Sequence, residues 1–109
     1  MNKKVATLTV ALALSTTGNA QAVDVVGTRS CGAWVANSRE AGFAQATDQT
    51  WLVGYLSGIA IGMSKDFLKD IDSPSIYLWV DSYCQAHPLL RIDNAGTALA
   101  LELIKQKRL

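Results

Sequence analysis

The sequence predicts an all-α fold, a small orthogonal bundle of about four helices with one disulfide, and three observations carry that reading. Apolar residues recur at helical spacing in four segments. The breaks between segments hold helix-start and helix-stop signals, most clearly Ser73-Pro74 and His87-Pro88. No stretch alternates apolar with polar residues as a half-buried strand would, and there is no internal repeat or low-complexity segment.

The chain opens on Met1-Asn2-Lys3-Lys4, followed by the apolar run Val5 to Leu14 and the small-residue site Ala20-Gln21-Ala22. That is the layout of a secretory signal peptide, so residues 1–22 are expected to be cleaved after Ala22. The run is too short to span a bilayer, and Thr28-Arg29-Ser30 before Cys31 does not fit a lipid-anchor site. The mature chain, residues 23–109, is then one domain near the lower size limit for folding alone. Without Lys3 and Lys4 it carries eight basic and nine acidic residues, a net charge of −1. Nothing forms a basic surface, which argues against a nucleic-acid partner.

Two cysteines remain, Cys31 and Cys84. In an oxidising compartment they read as one structural bridge, which would add about 4 kcal/mol to so small a core. Cys31 at a helix start would be reactive if free, but no C-x-x-C motif accompanies it. Two cysteines with the single histidine, His87, do not supply the ligand spacing of a zinc site.

Val23 to Arg29 reads as a loose leader. Ser30 caps a first helix that presents Cys31, Trp34, Val35 and Ser38 on one face, and Gly42 ends it. Thr47 or Asp48 caps a second helix, running from about Gln49 to Leu68. Its segment Trp51 to Met63 is apolar nearly all round, with an arc that includes Tyr55, Leu52, Leu56, Ile59 and Phe67, and this marks it as the buried central helix. Gly54, Gly58 and Gly62 form a stripe along it. Three helical glycines cost about 3 kcal/mol relative to alanine, so the stripe is expected to let another backbone of the same domain approach closely. A face left open for a second subunit or another protein is the alternative.

Ser73 caps the third helix, with Pro74 at its first position, and Ile76, Trp79, Val80, Tyr83 and Cys84 share its inner face. Tyr77 lies one step off that face and is the best candidate for an exposed aromatic. Asp93 caps the fourth helix, which buries Ala95, Ala98, Leu99, Leu103, Leu101 and Ile104 and ends near Lys105.

Chemistry is sparse. His87 is the only histidine, no motif sets a serine beside it, and a helix-end position favoured by the dipole accounts for it. Asp66, Asp70 and Asp72 do not match a calcium loop and read as a solvated turn. The sequence therefore predicts no catalytic residue, cofactor or metal, and a non-enzymatic protein.

The order of elements resembles the HdeA/HdeB-like superfamily of small exported helical proteins. The resemblance rests on Ser30-Cys31-Gly32-Ala33-Trp34-Val35 opening a short helix, on Trp51-Leu52-Val53-Gly54-Tyr55-Leu56, and on a helix from Ser73-Pro74 to Tyr83-Cys84. It covers most of the mature chain. It implies a periplasmic acid-stress chaperone, a dimer that loosens at low pH and binds unfolding clients. The same fold is similar to that of immunity proteins that neutralise type VI secretion effectors, and Tyr83-Cys84-Gln85-Ala86-His87-Pro88 looks more like that branch. Either way the expected partner is another protein, with no membrane contact after cleavage. A competing class is a small hydrolase or redox protein using His87 or Cys31. Near pH 2 the net charge would reach about +10, and self-repulsion on that scale loosens small domains of many kinds.

Overall fold

The computed structural model describes residues 23–109 together with Thr9; the export segment and its cleavage site after Ala22 lie outside the described residues. Among the described residues there are four helices: α1 (Cys31–Ser38), α2 (Phe43–Met63), α3 (Ser73–Ala86) and α4 (Ile92–Lys107). One disulfide, Cys31–Cys84, joins the start of α1 to the end of α3, and both cysteines are fully buried.

Local signals set most boundaries. The Ser30 hydroxyl accepts a 3.1 Å hydrogen bond from Ala33 N–H, as expected of the α1 cap. α3 starts one residue differently from expectation. Asp72 is the cap, accepting from Ser75 N–H at 2.8 Å, and Ser73 and Pro74 are the first helical residues. His87 ends α3 as Pro88 requires. α2 departs more. It begins at Phe43, not near Gln49, so Asp48 lies inside the helix and is no cap. It stops at Met63, where Ser64 takes a left-handed conformation (φ 51°) and its N–H reaches the Ala60 and Ile61 carbonyls. The α4 cap is Arg91, whose N–H is satisfied by the Asn94 side chain at 3.0 Å, and Asp93 sits in the first turn.

The helix at the centre is α4. It packs against α1, α2 and α3, whereas α2 and α3 scarcely touch. α4 buries Ile92, Ala95, Gly96, Leu99, Ala100 and Leu103, while α2 buries only Leu52 and Leu56 among its apolar residues. The expected central position of α2 is therefore corrected. Its apolar circumference is not matched by burial all round, because its outer side meets no other element among the described residues. Leu101 is corrected too: it points outward at 57 % exposure.

The turn after α2 closes the core from one end. Phe67, the largest fully buried side chain, comes from this turn and not from the helix itself. Lys65 Nζ donates to the Leu109 carbonyl at 3.2 Å and Lys107 Nζ to the Lys69 carbonyl, so the turn is tied to the end of α4.

Candidate functional site

The leader is not loose. Residues 26–31 form a strap across α2 and α4. Val26 O accepts from Trp51 Nε1–H at 3.0 Å, and Gly27, in the left-handed region (φ +83°), lies against the Trp51 indole. A β-carbon on Gly27 would stand 2.8 Å from Trp51 Nε1, so both conformation and space select glycine there. The Thr28 hydroxyl donates to Asp93 Oδ1 at 2.8 Å, and Arg29 Nε pairs with Asp48 Oδ1 at 3.2 Å. Ile92 N–H donates to Arg29 O, and Cys31 N–H to Leu90 O.

Asp48 and Asp93 are the two buried carboxylates among the described residues, and each joins the strap to a helix. Asp48 also accepts from Asn37 Nδ2 at 2.9 Å, which links α1 to α2. Asp93 also pairs with Arg91 at 3.0 Å. Neither role was legible beforehand, because the partners stand far off in sequence. A carboxylate buried inside a helix, as at Asp48, needs a partner, but its place inside α2 emerged only with the structure.

The three stripe glycines lie on the open side of α2. A β-carbon added at Gly54, Gly58 or Gly62 meets nothing within 4 Å among the described residues. The expectation that they admit a neighbouring backbone of the same domain is overturned. The glycine that does so is Gly96 on α4, against Tyr55 and Leu52. Sequence reasoning missed it because it is a lone glycine in a polar-looking first turn and a half.

Phe43, Ala46, Thr50, Gly54, Gly58 and Ile61 recur every three or four residues and are all exposed. Phe43 is 88 % and Ile61 79 % exposed, large values for such side chains. The face carries no charge, since the only charged residue of α2 is Asp48, buried on the other side. Comparison with protein-family models, curated proteins and solved structures returns no match.

The other sequence candidates separate in space. Trp79 stacks on Tyr83 with centroids 5.6 Å apart, and His87 packs at a tilt on Tyr83 at 4.5 Å. With Leu78 they line a surface groove of about 570 Å³. Asp81 instead bonds Ser38 and Gln85, on the flank of α3 that meets α1. Tyr77 is half-buried against Trp34, and the exposed apolar residue beside it is Leu78. Cys31 and Cys84 present no thiol. Asp66, Asp70 and Asp72 do not converge, and among the described residues no group of three or more acids, histidines or cysteines is placed to hold a metal. No helix among the described residues is long and apolar enough to cross a membrane.

Proposed function

We propose that this chain is an exported, non-enzymatic protein of the periplasm that acts by binding another protein, as an acid-stress chaperone of the HdeA type. The observation that carries the reading is the uncharged outer face of α2. Its three glycines lower helix stability by about 3 kcal/mol relative to alanine, and no contact within the described residues offsets that cost. Phe43 and Ile61 stand in water at its two ends. Glycines and large apolar side chains placed there, at a cost in both stability and solubility, fit a surface that is covered during function. The buried disulfide is of the kind that persists in an oxidising compartment.

Clients would meet this face and the apolar surface released as the domain loosens in acid. The test is light scattering of an acid-labile client protein at pH 2 to 3 and at pH 7, with and without the chain. Suppression of aggregation in acid supports the reading, and its loss in a Phe43→Ser, Ile61→Ser double variant locates the surface. No suppression by the native chain at pH 2 to 3 sinks it. A tight, stoichiometric and acid-insensitive complex with a single toxin would replace it with the immunity role.

A further inference from the structure

Trp34 is 3 % exposed, and its indole N–H is the one buried side-chain donor among the described residues without a hydrogen-bond partner. A buried donor left unpaired is costly, and such groups in folded proteins are nearly always satisfied by protein or by ordered water. Between α1 and α2, Trp34 lines a cavity of about 10 Å³ together with Ser38, Gln45, Asp48 and Gln49. That volume is at the lower bound for one water molecule.

The lining is polar wherever it is not Trp34. Asp48 accepts from Arg29 through Oδ1 and from Asn37 through Oδ2, and each carboxylate oxygen keeps a free lone pair. Gln45 uses one of its two amide N–H groups on Ser38 O at 3.3 Å, and its carbonyl is a further acceptor. Gln49 adds a second side-chain amide, with a carbonyl acceptor and two N–H donors, to the lining. A water needs two to four polar partners, and this wall supplies them. Trp34, Ser38, Gln45 and Gln49 also line a wider surface groove of about 330 Å³.

We propose that this cavity binds a single water molecule, which accepts the Trp34 Nε1 proton and donates to the acceptors of α2, Asp48 foremost. The water joins α1 to α2. It turns the one orphaned donor of the core into part of the network that already holds Arg29 and Asn37.

The full chain, labelled with nitrogen-15 tryptophan, tests this by NMR. A water held for longer than about a nanosecond gives the Trp34 indole proton a cross-peak that changes sign between NOESY and ROESY spectra, which simple proton exchange does not. Trp51, whose N–H is taken by Val26 O, is the internal control. In a second arm Trp34 is replaced by benzothienylalanine, which puts sulfur in place of N–H at nearly constant shape. Loss of a bonded donor lowers Tm, by about 4–8 °C for a net hydrogen bond in a domain of this size. Removal of an orphaned donor raises it. The expected result is the sign-changing cross-peak with a fall in Tm. Absence of that cross-peak, or a rise in Tm, overturns the proposal.

Discussion

The Tyr55 ring occupies the space where a β-carbon on Gly96 would stand, with 2.9 Å to Cδ1 and 3.1 Å to Cε1. The ring cannot easily withdraw. It stacks on Trp51 at 5.0 Å, and its hydroxyl shares a 2.8 Å hydrogen bond with Thr97. Leu52 lies 3.3 Å from the same point, so the contact fixes how closely α2 and α4 approach.

Gly96→Ala should therefore destabilise the domain by about 1–3 kcal/mol, the range for overpacking a core, despite alanine's better helix propensity. Gly54→Ala and Gly58→Ala should each stabilise it by up to about 1 kcal/mol, because nothing among the described residues stands in the way of the new methyl group. Denaturant midpoints of the three variants check the opposite signs. Destabilisation by Gly58→Ala would mean that the outer face of α2 is covered within the chain.

Removing the bridge with Cys31→Ala and Cys84→Ala together should cost about 4 kcal/mol, since the disulfide closes a loop with a sequence separation of 53. Both cysteines are fully buried, so a reductant should act on the native protein only as fast as the protein opens. The rate of thiol appearance with increasing urea reads this out. Rapid reduction without denaturant would contradict it.

The strap should behave as part of the core. Asp48→Ala leaves Arg29 and Asn37 without their acceptor and should cost about 2–3 kcal/mol. Arg29→Ala should cost less, about 1 kcal/mol, because Arg29 is half exposed and its pairing is screened by water. Amide exchange at Ile92 and Cys31, whose protons are held by Arg29 O and Leu90 O, gives an independent reading. Those amides should be protected in the native chain and exchange sooner in Arg29→Ala. Equal, fast exchange in both would return the strap to the status of a loose leader.

Stability should also fall in acid through the α3 cap. The Ser75 hydroxyl, and then its backbone N–H, hold the Asp72 carboxyl below its ordinary value against a small opposing effect of burial. A carboxyl lowered in the folded state contributes stability that is fully present above its unfolded value and is lost as pH falls through the folded one. Asp72→Asn keeps a capping acceptor but cannot titrate. Its Tm should vary less with pH than that of the native chain below the ordinary aspartate range. Parallel pH profiles would show that the cap plays no part in the acid response.

Cysteine placement, helix periodicity and the signals at Ser30, Pro74 and Pro88 determined four helices and one bridge from sequence alone. Each rests on forces that act within a few residues, or on a pairing with only one solution. What covers each helix was decided by the tertiary structure. An apolar circumference states what α2 can bury, not what reaches it, and α4 took the centre because Ala95, Gly96 and Ala100 let its neighbours come close. Asp93 read as a cap, and Asp48 as one of two candidates with Thr47, because a carboxylate next to a helix start is usually just that. Their actual partners, Arg29 and Thr28, reach them only once the strap folds back over α2 and α4. Spacing in the sequence identifies faces, while the pairing of faces depends on shape and charge contributed by residues far away along the chain.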